Sequence, residues 1–316
     1  MEGTIRLSDD LIETLFQCTG CASCSTNCPS GVKVSEIIKT VRKDMVHMGK
    51  CHPAFAGIRD VLQMHSDIYA EDQPVDWGRE RNRKASYVYF VGCVGTYREE
   101  KVTMETLDLL DRLQVDYTLI DEACCSGVLE DMGYTINNDL AVRNTATILS
   151  TGANTVITGC PYCFKTFHNE ARYAPLRSAG VDVVHLSQFL QDFDFHVSTD
   201  KIVTYHDPCD LGRHSGIYEE PRRTIQKIAP RFVELRHSRA GSLCCGAGGG
   251  VRAAYASGSI AMARRRLSEA EAVGAQVLLT ECNSCIHNLE NAKLRRQKFQ
   301  ILSTTQFINR LLQGQA

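Results

Sequence analysis

The feature that most constrains this chain is a cysteine pattern written twice. Cys93, the adjacent pair Cys124 and Cys125, and the C-x-x-C pair Cys160 and Cys163 are followed by Cys209, Cys244 with Cys245, and Cys282 with Cys285. The adjacent pairs stand 120 residues apart, Cys124 to Cys244, and the C-x-x-C pairs 122 apart, Cys160 to Cys282. Around the latter, "TGANTVITGCPYC" at 151–163 matches "VGAQVLLTECNSC" at 273–285. Duplication in register means two copies of one supersecondary plan. Adjacent cysteines also suit a mutual disulfide poorly, because neighbouring Cβ vectors leave little room for the bridge.

Each copy reads as alternating strand and helix. "YVYFVG", "DYTLI", "NTVIT" and "VDVVHL" are short β-branched or aromatic runs in the first copy, and "KIVTYH", "RFVELR", "QVLLT" and "QILS" in the second. Amphipathic helices fall between them, such as "KVTMETLDLLDRL" with Val102, Leu109, Leu110 and Leu113 on one face. The pattern predicts an α/β fold of two Rossmann-like halves, 85–198 and 199–316, with parallel sheets. Ligands of such sheets lie beyond the carboxyl ends of strands, where Cys93, Cys160, Cys209 and Cys282 fall. Residues 1–80 are read as a small helical domain. Ser8 is expected to cap "DDLIETLF", and Ser35 to cap a helix stopping at Gly49. The polar stretch "AEDQPVDWGRERNRKA" reads as the linker.

Composition decides the compartment and excludes some partners. A formal net charge of −2 lacks the basic footprint of a nucleic-acid binder. The basic runs "RERNRK" at 79–84 and Arg264-Arg265-Arg266 are read as solvated faces or linker. No apolar run reaches the ~20 residues needed to span a bilayer, and the first residues lack the order of a signal peptide. The expectation is a cytoplasmic protein, peripheral to a membrane only through a partner. In that reducing compartment the 15 cysteines point to metal or redox chemistry rather than disulfides.

Four readings compete for each cysteine set. Zinc takes four ligands, often as two C-x-x-C pairs, whereas each copy offers five thiols, two of them adjacent. A glutaredoxin-like dithiol fits "CPYC" but not its counterpart "CNSC". "GAGGG" at 246–250 follows no clear strand, which weakens a dinucleotide loop. Buried small hydrophobes suit Cys51. A multi-iron cluster, in which a thiolate can bridge two irons, accounts for five thiols repeated in register. The glycines then let backbone approach and donate N–H groups to sulfur.

The N-terminal region adds "CTGCASCSTNCP" at 18–29. C-x-x-C-x-x-C-x-x-x-C-P is the bacterial ferredoxin run for a cubane [4Fe–4S] cluster. Cys18, Cys21 and Cys24 are read as its ligands, with the fourth left between Cys28 and Cys51.

These motifs, with "YHDPCDLGR", "CCGAGGGVR" and "GCPYC", resemble the CCG cysteine-rich domain of heterodisulfide reductases, over nearly the whole chain. The resemblance implies two noncubane [4Fe–4S] clusters, one on Cys93, Cys124, Cys125, Cys160 and Cys163, the other on Cys209, Cys244, Cys245, Cys282 and Cys285. It implies reduction of a disulfide, such as the CoM-S-S-CoB heterodisulfide, between facing clusters, with electrons relayed through the cubane from a flavin-containing subunit or a membrane cytochrome. Similar subunits also carry electrons between a flavin dehydrogenase and a quinone pool, which is the alternative. Relatives with fused ferredoxin parts usually have two cubane motifs, and this chain carries one. Asp210 and Asn283 stand where many relatives have histidine and proline, a change expected to bear on substrate fit. His206 is a candidate proton donor, since histidine titrates near neutrality, and His214 a weaker one. Arg213, Arg252 and Lys165 adjoin the cluster motifs and are weighed between steering an anionic thiol and plain solvation.

Overall fold

The computed structural model describes residues 8–71 and 75–315. The first seven residues and 72–74 of the linker lie outside the described residues. Two parallel sheets organise the rest. Strands β1 (Tyr87–Phe90), β2 (Tyr117–Thr118), β3 (Thr155–Thr158) and β4 (Asp182–His185) form the first sheet, in the order β2-β1-β3-β4. Strands β5 (Val203–Tyr205), β6 (Val277–Leu279) and β7 (Gln300–Leu302) form the second, in the order β5-β6-β7. The architecture is α/β with two parallel halves, as the alternation of the sequence predicts.

The second sheet lacks a counterpart of β2. "RFVELR", expected as a strand, supplies only a parallel bridge from Phe232 to Val203. One residue on from Val233, Glu234 turns away to Arg222, Nε to Oε1 2.6 Å, and the chain leaves the sheet. The bridge sits where β2 sits beside β1, so both halves share one strand order.

Side-chain alternation builds the layers. Tyr89, Val91 and Ile157 face Val203, Tyr205, Val277, Leu279 and Leu302 in one core that lies between the sheets. Val88, Phe90 and Val156 face the outer layer of the first half, and Leu278 and Ile301 that of the second. The helix Glu100–Arg112 buries Val102, Leu109 and Leu110 as expected, with Leu113 at the core edge. It crosses to the C-terminal helix Thr304–Leu312 through Thr106 and Thr305, 2.7 Å apart, and through Glu105 with Arg310 at 2.8 Å. A period of 2 in strands buried on both faces is what parallel sheets require.

The N-terminal part is helical: Asp9–Phe16, Ser23–Thr26, Val34–His47 and Pro53–His65. Ser8 caps the first, accepting from the Leu11 N–H. Ser35 caps nothing: its helix begins one residue earlier, and its Oγ is bonded to Ser25 Oγ at 2.9 Å. Gly49, at φ +72°, follows the helix end as expected.

Two basic runs depart from the sequence reading. Arg79 pairs with Asp108 and Asp111 at 2.6 and 2.7 Å, and Arg81 and Arg83 donate to the carbonyls of Ile120 and Tyr117. "RERNRK" is therefore a strap along the sheet edge, with Trp77 buried beneath it. Arg266 is 0 % exposed, because Glu269, the His237 carbonyl and His206 take its guanidinium into the core. No helix among the described residues is long and apolar enough to cross a membrane.

Candidate metal centre

All four strand-end cysteines follow a strand of one of the two parallel sheets. Cys93 opens the helix Cys93–Tyr97 just after β1, and Cys160 stands immediately before the helix Pro161–Asn169 after β3. Cys209 follows β5, and Cys282 caps the helix Asn283–Ala292 after β6. The adjacent pairs come in on the loops beside them.

Within each half the five thiols form one chain of contacts. Cys93 reaches Cys124, Cys124 reaches Cys125, Cys125 reaches Cys163, and Cys163 reaches Cys160. In the second half Cys209 reaches Cys244, Cys244 reaches Cys245, Cys245 reaches Cys285 at 3.1 Å, and Cys285 reaches Cys282. Backbone N–H groups meet the same sulfurs in both. Ser126 donates to Cys124 at 3.4 Å and Gly246 to Cys244 at 3.3 Å, and Gly127 and Ala247 donate to Cys125 and Cys245. The second cysteine of each pair is thus the best acceptor. Hydrogen bonds from two neighbouring thiols hold Cys125 well below the usual thiol range and bring Cys245 down to about 5, against the effect of burial. Their partners Cys163 and Cys285 are pushed up, first by donating those bonds.

Nine of these ten cysteines line a single cavity of about 160 Å³ between the halves. Cys244 instead faces the N-terminal segment, its Sγ 3.4 Å from Thr19 Oγ1. Cys21 donates to Cys244, which together with burial pushes the Cys21 thiol up. The whole Cys18–Cys21 loop is docked on the second half: Arg213 Nε donates to the Cys21 carbonyl at 2.6 Å, and His214 Nε2 lies 2.8 Å from the Gly20 carbonyl. The glycine run makes that docking possible. A Cβ on Gly248 would fall 2.5 Å from the Thr19 carbonyl oxygen, and one on Gly249 2.7 Å from that of Cys18. Arg42, 2 % exposed, fastens the segment by donating to the carbonyls of Leu15, Cys18 and Asp131.

Cys18 lies near Cys21 and Cys24, whose charges add to burial in raising it. Cys28 accepts from the Val32 N–H at 3.4 Å. Cys51 accepts from Tyr134 Oη at 3.3 Å, against the apolar cluster of Phe16 and Phe55.

His206 is 1 % exposed and does not line the cavity. Burial, then Arg266, hold its pKa well below the usual histidine range, so the ring is neutral rather than a store of protons. Its neighbour Asp207 is paired with Arg222, 2.7 Å apart and both buried. Of the cations flanking the motifs, Arg213 is spent on the N-terminal loop. Lys165 pairs with Asp210 across the halves at 2.7 Å. Arg252 alone reaches the cavity wall, with Nη2 3.3 Å from Tyr69 Oη and Nη1 buried without a partner. Asp210 faces the cavity, whereas Asn283 points at Gly95 of the first half, away from it.

Glu122 was not singled out in the sequence, although an acid two residues before "CC" was its signal. Its carboxylate takes the N–H groups of Val91 and Gly92 at 2.5 and 2.8 Å and so fixes the turn into Cys93; burial pushes its pKa up to about 7. Ser242 stands 120 residues on and holds the matching turn through the Asp207 carbonyl, 3.2 Å away.

The thiol-only donor sets, with N–H groups aimed at sulfur, fit polynuclear iron–sulfur sites. The model of the cysteine-rich domain CCG matches residues 87–168 and 203–290. Over 304 residues the chain is 33% identical to the D subunit of the dihydromethanophenazine:CoB–CoM heterodisulfide reductase of Methanosarcina acetivorans, covering 90% of this chain and 74% of that one. The chain belongs to the cysteine-rich CCG family of heterodisulfide reductases. It is 24% identical to the EtfAB:quinone oxidoreductase of Syntrophomonas wolfei, over 75% of this chain and 37% of that one. Among solved structures, a hypothetical protein from Helicobacter pylori shares the fold at TM-score 0.56 and 10% identity, covering 96% of this chain and 58% of its own. Family membership makes the chain an iron–sulfur electron-transfer protein, one of a kind that works in multi-subunit redox complexes.

Proposed function

We propose that this chain is the component that reduces a disulfide, held between two noncubane [4Fe–4S] clusters on its two five-cysteine sets. One cubane on Cys18, Cys21, Cys24 and Cys28 would relay the electrons. The observation that carries this reading is the shared cavity: nine of the ten repeat cysteines open on one space of about 160 Å³. When bound, such clusters supply single electrons and Lewis-acid iron for the sulfurs released.

The residues of the chain do the rest. Cleaving a disulfide to two thiols takes two electrons and two protons. The Arg252 guanidinium, with Nη1 unpartnered, and Tyr69 offer donors on the wall to orient a polar substrate. Ile58, Ile68, Val128 and Met132 line the same wall with apolar surface that excludes water. Tyr134 engages Cys51, which supports Cys28 as the fourth cubane ligand. The proposed parts are a ferredoxin-type region over 1–80 and cysteine-rich halves over 85–198 and 199–316.

The likeness to an EtfAB:quinone oxidoreductase favours a second reading, electron transfer between a flavin dehydrogenase and a quinone pool. Iron and sulfide analysis of protein purified without oxygen, followed by EPR with and without thiols, separates the two. About 12 irons per chain are expected for three [4Fe–4S] centres, with a new paramagnetic signal when a thiol is added under oxidising conditions. Full clusters indifferent to every thiol would leave electron transfer as the function, and zinc in place of iron would defeat both readings.

A further inference from the structure

The second cysteine set has a neighbour that the first lacks. Cys93 and Cys209 correspond in the repeat, so Phe90 and His206, each three residues earlier, correspond too. Phe90 packs edge-on against Phe167, ring centroids 4.7 Å apart, behind the first set. His206 brings a polar ring to the same place behind the second.

The tautomer of that ring is fixed by its surroundings. Arg266 Nε donates to His206 Nδ1 at 2.9 Å. Arginine has no acceptor to offer and keeps its protons, so Nδ1 is the acceptor and the neutral ring carries its hydrogen on Nε2. Arg266 cannot swing aside, since Nη1 is held at 2.6 Å by both Glu269 and the His237 carbonyl. Nε2 is buried with no hydrogen-bond partner, so its N–H is a donor left over for sulfur that becomes negatively charged when the site is loaded. A ring nitrogen of His206 and the sulfurs of Cys245 and Cys285 lie within 4.8 Å of one another, and with Nδ1 taken by Arg266, Nε2 is the ring atom left to meet those sulfurs.

We infer that His206 is a fixed N–H donor to the sulfur ligands of the second site, and that it raises the reduction potential of that site. The inference rests on the reading that these cysteines hold iron–sulfur clusters. An N–H aimed at sulfur favours the reduced, more negative centre, and a second-shell partner such as Arg266 sets which nitrogen points inward. A nitrogen that carries hydrogen has no lone pair for iron, so His206 is a positioning and tuning residue rather than a ligand.

The test is an EPR-monitored redox titration of the full chain without oxygen, comparing the natural protein with His206→Phe, the residue of the first half, and His206→Gln, which keeps a donor. In His206→Phe one noncubane midpoint is expected to fall by about tenfold in its reduction equilibrium, about 59 mV for a one-electron couple. Iron and sulfide should stay constant, the other centres should not move, and His206→Gln should recover part of the shift. Pulsed EPR of the natural protein with nitrogen-15 histidine reads the same contact without any variant: a weak nitrogen coupling on one noncubane signal is expected. No coupling, the strong coupling of a bound nitrogen, unmoved midpoints, or loss of about four irons in His206→Phe would each overturn the inference. Natural protein without iron would overturn the cluster reading itself, a result distinct from these.

Discussion

The two halves hold their cysteines in the same way and differ in what presses on them. Both run the same five-thiol chain, and both feed backbone N–H groups to the adjacent pair from two residues on. After that the loops diverge. The first continues Val128-Leu129-Glu130, the second Gly248-Gly249-Gly250. Leu129 fills the apolar cluster with Phe16, Met45 and Phe55, while the glycines leave room for the Cys18–Thr19 backbone to lie on the second half. The common part is a property of the repeated strand ends. The difference is the imprint of the N-terminal segment, which packs apolar helices on the first copy but lays its cysteine loop on the second, bringing Cys21 to Cys244.

That equivalence is broken most forcefully by removing one thiol. Cys125→Ser and Cys245→Ser each delete the second thiol of the adjacent pair, whose pKa is pulled down by hydrogen bonds from two neighbours. Each is expected to lose about four irons and only its own noncubane signal, with cubane iron retained. If either substitution empties both sets, as iron analysis and EPR would show, the halves are not independent sites.

The difference between the loops is tested by moving the first half's residue into the second. Gly249→Leu puts a side chain at φ +60°, with its Cβ 2.7 Å from the Cys18 carbonyl oxygen. Left-handed strain of ~1–2 kcal/mol and overpacking of ~1–3 kcal/mol should together lower stability by about 3 kcal/mol. The cubane signal should weaken while the noncubane signals persist. Leu129→Ala should cost ~2–5 kcal/mol through the cavity it leaves, yet keep the cubane signal. Denaturant unfolding and EPR of both variants sharpen the comparison, and equal loss of the cubane in the two would erase it.

The repeat, the parallel strands and the cysteine sets were legible in the sequence because periodicity and spacing report local geometry. Contacts made at long range were not. Arg266 read as a solvated basic residue, since nothing nearby announces the ring of His206 that draws it inside, and nothing near Arg42 announces the carbonyls of Leu15 and Cys18 that it holds. Ser35 follows a helix start that Ser25 shifted by one residue. "RFVELR" has strand composition, but the buried Arg222, outside that run, draws Glu234 to itself, and only one bridge to the sheet remains. One further correspondence went unread: "HLSQFL" at 185–190 and "STTQFI" at 303–308 are the same capping box after the last strand of each sheet.

The two capping boxes supply the smallest effect and the cleanest sign. Ser303 Oγ accepts from the Gln306 N–H at 3.0 Å and does not titrate near neutrality. His185 does the corresponding work with a ring nitrogen, Nδ1 accepting from the Ser187 N–H at 3.2 Å. Burial brings the His185 pKa down to about 3, below an unfolded value of ~6.5. Between those two values the unfolded chain binds the extra proton, so stability is full above the unfolded value and drains as pH falls toward the folded one. From pH 7 to about pH 5.5 the loss should be about 1 kcal/mol. His185→Ser, which copies the second half, should keep the cap and remove that share of the acid sensitivity, as urea unfolding at the two pH values would reveal. An unchanged slope would mean that the His185 ring is protonated in the fold and that the first cap depends on Gln188 alone, whose Oε1 accepts from the His185 N–H at 3.0 Å.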